Sequence, residues 1–382
     1  MKPKLRFKEF NDEWNEYVLQ SESDVRDGTH DSPKYVDSGY PLITSKNLTD
    51  MGTLDFSNVS YLKQEDFDKI NQRSKVDIGD ILFGMIGTIG KPVQIDRDDF
   101  AIKNVALIKE KGLIKNDYLI HYLHSPNINK QFANNQDGGT QKFIALDKIR
   151  KLKINMPSRN EQIKIVSLFD LLDKKIELQT KKIEDLKLFK SYTKIRLFQN
   201  GDKTIKLGDI LTKWNKKNKD GLIDYVESIS NKFGFISQSD QFEDRNVASK
   251  DLKNYYVIEK NVFGYNPSRL NVGSLALKDN DNISVVSPLY ECFTTNQNNK
   301  FMLEWFDSIY FKRGTLSRFE GGVRNTLNFT NLCEIEINLP SIELQNKYAT
   351  YLSTLDKKIK FEEQKLNGLK NLKKGLMQNM FV

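Results

Sequence analysis

The histidine residues of this sequence are candidates for metal binding or for nucleophilic catalysis. His121 and His124 have the spacing of one helix face, but no further ligand cluster accompanies them. His30 lies in a loop segment and has no evident Ser or Cys partner. We interpret His121 and His124 as a solvated or half-buried pair and His30 as an ordinary loop residue. We therefore assign no catalytic and no metal-binding residue.

Methyltransferase and nucleotide-binding motifs are also missing. An adenine or cytosine methyltransferase needs an Asn/Asp-Pro-Pro-aromatic loop and a glycine-rich cofactor turn after a strand, whereas Asn266-Pro267 continues as Ser-Arg. The glycines at 84, 87 and 90 are typical of strand-and-turn backbone rather than of a phosphate-binding loop. Glu363-Gln364-Lys365 imitates the end of a nuclease motif, but it lies in a charged helical stretch. We predict a chain that is not an enzyme and binds no cofactor itself.

Composition indicates a multi-domain protein with a basic bias. The chain has 382 residues, enough for two to four units with proper cores. It has no apolar run long enough to span a bilayer and no N-terminal signal core, so a cytoplasmic protein without membrane contact is expected. Cys292 and Cys333 have neither disulfide nor zinc spacing. Abundant Lys and Asn point to an AT-rich bacterial genome.

The net charge of +8 suggests a polyanionic partner, and its location is informative. Residues 157–199 contain ten Lys/Arg against six Asp/Glu, and residues 340–382 contain eight against four. These two segments therefore carry the whole net charge. The charge alone does not identify a DNA-binding face.

One sequence unit occurs twice in the chain. The two copies are separated by a constant number of residues, so that position 337 corresponds to position 154. The sequence INMPS at 154–158 recurs as INLPS at 337–341, and LDKKI at 172–176 recurs at 355–359. Upstream the similarity fades, although the register persists. Two copies that keep a scaffold but differ in polar residues suit two modules that read different targets, while drift after duplication is the alternative.

The segments after Pro157 and Pro340 predict two helices of about 40 residues, on the order of 60 Å long. Ser158 and Glu161 form a capping-box signature, of which Ser341 repeats only the Ser cap. Neither helix can bury its apolar stripe alone, so we predict an intramolecular antiparallel coiled coil with pseudo-twofold symmetry. Packing of each helix on its own domain is the alternative. The predicted seam residues are Phe169, Leu172, Ile176, Ile183 and Leu186 in the first helix, and Leu352, Leu355, Ile359, Leu366 and Leu369 in the second.

The residues before each helix predict mixed domains of the α+β class. Short β-branched and aromatic runs are broken by Gly, Pro, Asn and Asp, and helical patches are predicted at 118–123 and 301–306. The predicted order is a mixed domain (1–155), a helix (156–200), a second mixed domain (201–338) and a second helix (339–382). The predicted strands include 40–44, 80–83, 93–95 and 105–108, followed by 222–226, 256–258 and 283–286.

This order resembles the specificity subunit of type I restriction-modification systems over essentially the full chain. The repeated Pro-Ser-x-x-x-Gln and Leu-Asp-Lys-Lys-Ile motifs of the helices are its specific part. Weaker matches are the segments 27–30, 39–43 and 79–82 in the first domain, and 263–274 and 286–290 in the second. One departure is the N-terminus, where no long helix precedes the first domain.

The resemblance implies two target-recognition domains that read a bipartite double-stranded DNA target. It implies two partner subunits that are S-adenosylmethionine-dependent adenine methyltransferases, docked on the exposed helix faces and domain flanks. It further implies two motor-nuclease restriction subunits, which use ATP and Mg. The half-sites should lie roughly one helical turn apart. The alternative function is a coiled-coil protein-interaction scaffold without DNA specificity.

Within this resemblance, polar loop residues are the candidate DNA contacts, because such side chains read base edges while basic groups bind phosphates. Each competes with the interpretation of a merely solvated or turn-capping residue. The candidates are Thr29, His30, Ser45, Lys46, Asn47, Thr140, Gln141 and Lys142 in the first domain, and Tyr265, Asn266, Arg269, Asn271, Arg324 and Asn325 in the second.

Overall fold

The chain folds into two compact units in a computed structural model, which describes residues 2–50, 52–87, 89–133, 143–231, 233–238, 251–316, 318 and 326–382. The first unit comprises Met1–Thr180 and Gln364–Val382, and the second unit comprises Lys181–Glu363. Each unit therefore contains part of both long helices.

The described residues up to Gln199 form nine short strands and six helices, of which the last is long. The strands are β1 (Asn15–Val18), β2 (Ser23–Asp27), β3 (Tyr40–Ile43), β4 (Ser60–Leu62), β5 (Ile81–Gly84), β6 (Gly90–Gln94), β7 (Ala101–Ile102), β8 (Val105–Glu110) and β9 (Lys153–Met156). The helices are α1 (Leu19–Glu22), α2 (Gln64–Ser74), α3 (Asn116–Leu123), α4 (Pro126–Ala133), α5 (Leu146–Arg150) and α6 (Arg159–Gln199), and Ser45–Asn47 is a 3-10 helix.

The described residues after Gln199 repeat this alternation. The strands are β10 (Lys203–Lys206), β11 (Leu211–Lys213), β12 (Glu227–Ser230), β13 (Gly234–Ser237), β14 (Tyr256–Ile258), β15 (Phe263–Tyr265), β16 (Leu275–Leu277), β17 (Ser284–Val286), β18 (Glu291–Thr295) and β19 (Glu336–Leu339). The helices are α7 (Asn299–Phe306), α8 (Ile309–Leu316), α9 (Phe329–Cys333) and α10 (Ile342–Met380), and Leu207–Asp209 and Pro267–Val272 are 3-10 helices.

Both units contain a four-stranded antiparallel sheet with the same strand order. It runs β2-β8-β5-β6 in the first unit and β11-β18-β15-β16 in the second. The two-stranded pairs β1-β9 and β10-β19 also correspond. Five pairs of elements begin at equivalent positions of the repeat: α3 and α7, α4 and α8, α5 and α9, β9 and β19, and α6 and α10. The sequence repeat is therefore a repeat of fold, and the predicted α+β class is confirmed.

In each unit the core joins the sheet to the long helices. In the first unit Phe169 of α6 stacks on Phe381 with ring centroids 5.5 Å apart, and both are buried. In the second unit Phe198 of α6 packs edge-on against Phe301 of α7 at 5.4 Å. Because fully burying such a side chain contributes about 1.5–3 kcal/mol, these aromatic contacts hold the helix ends in place.

Within each unit α6 and α10 run antiparallel. Asp173 binds Lys373 at 2.5 Å in the first unit, and Lys190 binds Asp356 at 2.7 Å in the second. Both ion pairs use the same two positions of the repeat, with the helices exchanged. Most seam residues are buried as predicted. Leu186, Leu366 and Leu369 are only half-buried.

Two local predictions are wrong. Residues 222–226 form no strand, because the Asn218 carboxamide donates to the Ile223 carbonyl at 2.8 Å and accepts from its N–H at 3.3 Å. Glu161 forms no capping box: its buried carboxylate accepts two hydrogen bonds from Arg6 at 2.7 Å and one from Trp14 at 3.2 Å. The other six predicted strands are present.

No helix in the described ranges combines the length and the apolar character needed to cross a bilayer.

Candidate nucleic-acid interface

Three strands of the first unit bring their loops to the same end of the sheet. Strand β2 ends at Asp27, opposite Ala106, and β5 ends at Gly84, opposite Val105. Gly28 follows β2 at a close crossing, where a Cβ would lie 2.4 Å from the Ile102 carbonyl oxygen. The chain therefore leaves β2 in direct contact with the residues that precede β8.

Thr29 and His30 lie at this sheet end in a hydrogen-bonded cluster. His30 Nε2 is 2.8 Å from an Asp27 carboxylate oxygen, and Nδ1 is 2.7 Å from the Asn104 side-chain oxygen. The hydrogen bond to Asp27, followed by that to Asn104, raises the pKa of His30 above its usual value. Arg73 binds the second Asp27 oxygen. The side chains of His30 and Arg73 remain 57% and 66% exposed, so both can reach an anionic ligand.

Of the three candidates in the Ser45–Asn47 turn, only Lys46 is exposed. Ser45 is buried and donates to the Asn104 carbonyl at 3.2 Å. Asn47 is buried and accepts from the Thr44 N–H at 2.9 Å, while its amide donates to two backbone carbonyls of the next loop. Ser45 and Asn47, which the sequence predicts as DNA contacts, therefore use their side chains to fold the turn.

The second unit presents its candidates at the corresponding sheet end. Strand β15 ends at Tyr265, which lies opposite Glu291 of β18. Asn266 caps the following 3-10 helix by accepting from the Ser268 N–H at 3.0 Å, and Arg269 is exposed. Tyr265, which the sequence predicts as a DNA contact, is buried in the core, and burial raises the pKa of its hydroxyl. Its aromatic ring stabilises the sheet from inside.

The remaining candidates lie outside what the structure describes: residues 140–142, 324 and 325, and the side chain of Asn271. The described residues beside them attach to the same sheet ends. The Ile144 N–H donates to the Met85 carbonyl at 2.9 Å, and the Leu327 N–H donates to the Pro267 carbonyl at 3.1 Å. Both attachments follow the end of the corresponding strand, β5 or β15.

Sequence reasoning missed Arg73, Lys103 and Asn104. Arg73 lies in the last turn of α2, and nothing in its local sequence distinguishes it from other helical arginines. Lys103 contacts the Ser32 hydroxyl at 2.7 Å. Asn104 has a φ of 55°, a left-handed conformation in which Asn is enriched, so a Lys-Asn turn before a strand was a usable signal.

His121 in α3 and His124, which directly follows the helix, correspond to two acids in the repeat. His121 and His124 occupy the positions of Glu304 and Asp307, which bind Lys194 in the second unit at 3.0 and 2.7 Å. His121 instead lies 3.0 Å from Asp170. Among the described residues, no three His, Cys, Asp or Glu side chains are arranged to hold a metal ion. The positions serve the contact between each domain and its long helices.

His124 leads to a prediction about pH. Burial, then the Lys373 ammonium and His121, lower the pKa of His124 to about 4, whereas the unfolded chain takes up this proton near pH 6.5. The resulting stability is present above about pH 6.5 and is lost as the pH falls toward 4. Between pH 7 and pH 4, we expect the free energy of unfolding to fall by about 3 kcal/mol more in the wild type than in His124→Gln. Urea unfolding at both pH values measures this, and equal losses would contradict it.

Comparison with known families gives two successive matches along the chain. The profile of the family described as "Type I restriction modification DNA specificity domain" matches twice, at residues 30–188 and 201–371. A putative type I restriction enzyme specificity subunit of Haemophilus influenzae is 33% identical over 124 residues, 31% of each chain. The putative MjaX specificity subunit of Methanocaldococcus jannaschii is 24% identical over 89% of this chain and 85% of its own length.

Solved structures share the fold at low sequence identity. The S subunit of a type I restriction-modification system from M. genitalium has a TM-score of 0.61 and 16% identity, with 100% of this chain and 99% of that chain covered. A chain from a study of complex assembly and conformational transition of the type I R-M system has a TM-score of 0.62 and 12% identity, with 96% of both chains covered. The two profile matches span most of the sequence, and the chain therefore belongs to the family of type I restriction-modification specificity subunits.

Proposed function

We propose that this chain reads a bipartite double-stranded DNA target through its two units, without catalysis of its own. Each unit reads one half-site. The complex contains two adenine-methyltransferase subunits and two motor-nuclease subunits. S-adenosylmethionine belongs to the former, and ATP with Mg to the latter. Non-palindromic half-sites are expected because the two units present different side chains.

The observation that carries this proposal is the repeated sheet end. The same end of the same four-stranded sheet presents His30, Arg73 and Lys46 in the first unit, and Arg269 with Asn266 in the second. Exposed cationic groups can bind phosphates, and an exposed Arg can make bidentate contacts to a base edge in the major groove. A common scaffold with different exposed side chains is what two distinct half-sites require.

The long helices supply matching exposed apolar side chains for two methyltransferase subunits. In the first unit Leu178 of α6 and Leu372 of α10 are 58% and 51% exposed. In the second unit Phe189 of α6 and Phe361 of α10 are 48% and 54% exposed. Phe361 and Leu372 stand at the repeat positions of Leu178 and Phe189. One equivalent apolar pair per unit supports one docked subunit per unit.

Mapping of N6-methyladenine tests the assignment of each unit to one half-site. Arg269→Ala should lower methylation of the mapped target by about tenfold to hundredfold and relax base preference in one half-site only. His30→Ala should affect the other half-site. Lys260→Ala is the matched control, because Lys260 is exposed at the opposite end of β15.

An unchanged target and rate in Arg269→Ala would exclude Arg269 as a base contact. If the complex with its methyltransferase subunits showed no preference for any duplex and no dependence of binding on salt, the proposed DNA recognition itself would be wrong. The protein-interaction scaffold would then be the better description.

A further inference from the structure

The turn Ser287–Tyr290 carries an exposed leucine at the candidate DNA-contacting end of the second unit. Leu289 is 78% exposed, although it lies between the buried strand β17 and strand β18. Tyr265 lies opposite Glu291, so Asn266, which follows β15, and the turn with Leu289, which precedes β18, extend past the same end of the sheet. A single exposed leucine is ordinary on a protein surface, and its position is what gives this one significance.

The turn holds Leu289 in a defined place. The Tyr290 N–H donates to the Ser287 carbonyl at 3.1 Å, and the Leu289 N–H donates to the Ser287 hydroxyl at 3.3 Å. Pro288 fixes the backbone at the second position of the turn. Tyr290 packs against a buried cluster and accepts the Ile229 N–H at 3.4 Å. Turn tips usually carry Gly, Asn, Asp or Ser, so a leucine here exposes apolar surface that the fold does not need.

The first unit has polar residues at the corresponding place. Gly84 lies opposite Val105 there, so Lys103 and Asn104 stand just before β8 as Leu289 and Tyr290 stand just before β18. Asn104 binds His30, as described above. The loops that precede β8 and β18 thus differ in chemistry: the first carries a cationic and an amide group, and the second carries an aliphatic and an aromatic group.

We propose that Leu289 reads the C5-methyl group of a thymine in the half-site contacted by the second unit. The thymine methyl is the one apolar group that a base pair displays in the major groove, and apolar side chains recognise it by contact. Leu289 supplies an aliphatic surface at the same end of the sheet as the exposed Arg269, which can bind polar edges of neighbouring bases. The inference rests on the proposed function.

The test uses the full chain reconstituted with its methyltransferase subunits, and duplexes of the mapped target in which each thymine of this half-site is replaced in turn by deoxyuridine. Only the methyl group is removed. One replacement should weaken wild-type binding about fourfold, the effect of one methyl group. Leu289→Ala should weaken binding to the unmodified target about tenfold and respond less than twofold to that same replacement.

Leu222→Ala is the matched control, since Leu222 is 84% exposed. Because Val226 pairs in parallel with Val285 of β17, Leu222 lies toward the start of that strand, whereas Leu289 follows its end. It should bind and respond like the wild type. The proposal is overturned if wild type and Leu289→Ala respond alike to every deoxyuridine, if the half-site contains no thymine, or if Leu289→Ala binds normally. A wild-type complex that cannot distinguish target from unrelated DNA would instead refute the proposed function.

Discussion

Replacing Phe189 and Phe361 together by glutamate should remove one methyltransferase subunit from the assembled complex. Both phenylalanines are about half exposed on the long helices of the second unit. If a partner covers them, each substitution places a charge in an apolar contact, and loss of such anchors costs on the order of 2 kcal/mol or more each. We therefore expect affinity at this unit to fall more than hundredfold, with one methyltransferase retained.

The repeat provides the complementary experiment. Leu178→Glu with Leu372→Glu should remove the subunit docked on the first unit, and all four substitutions should leave none. Ser191→Glu and Asn367→Glu add the same charge at exposed polar positions of these helices and should leave two subunits bound. Native mass spectrometry gives the count directly. Retention of two subunits by the fourfold variant would show that the apolar pairs do not form the docking sites.

Replacing Lys278 by methionine should be the most destabilising single substitution among those proposed, with a loss of about 3–5 kcal/mol in the free energy of unfolding. Lys278 is fully buried and binds the Glu227 carboxylate, which is itself only 4% exposed. The Ser284 hydroxyl donates to the same carboxylate oxygen at 2.5 Å. Without the Lys278 ammonium group, the buried Glu227 carboxylate keeps its charge but has lost the cation that neutralises it in the wild type.

A double replacement separates the cost of an unpaired charge from loss of packing. Lys278→Met with Glu227→Leu should recover most of the stability, because no charge then remains buried. Lys260→Met breaks an exposed pair with Asp281 and should cost less than about 0.5 kcal/mol. Urea unfolding measures all three variants. A loss below about 1 kcal/mol in Lys278→Met would mean that the pair contributes little to folding.

The architecture could be predicted from sequence because its signals are local and repeated. The heptad spacing of Leu172, Ile176 and their counterparts defines two amphipathic helices, and the constant offset between the two copies implies a duplicated fold. Continuous apolar runs such as 105–108 likewise identify buried strands. These patterns depend on neighbours a few residues away, so a single sequence contains the information needed to place them.

Candidate contacts were less predictable because exposure depends on distant partners. Tyr265 and Asn47 belong to residue types and segments that suit DNA binding, yet one lies in the core and the other folds its own turn. Arg73, which no motif marks, joins the candidate interface because α2 brings it to Asp27. A polar residue in a loop can face solvent or backbone, and only the surrounding chain decides which.

Sequence alone thus determined the repeat, the helix pair and the fold class, since these follow from periodicity and from the need to bury apolar stripes. Tertiary structure decided which charges are paired. Glu161 has the spacing of a capping box, but the distant Arg6 and Trp14 bind its carboxylate. Tertiary structure likewise placed Asn266 and the turn with Leu289 at the same end of the sheet, through strand register that no local pattern encodes. Contacts between distant residues depend on packing of the whole unit, and that is the physical reason they could not be read from the sequence.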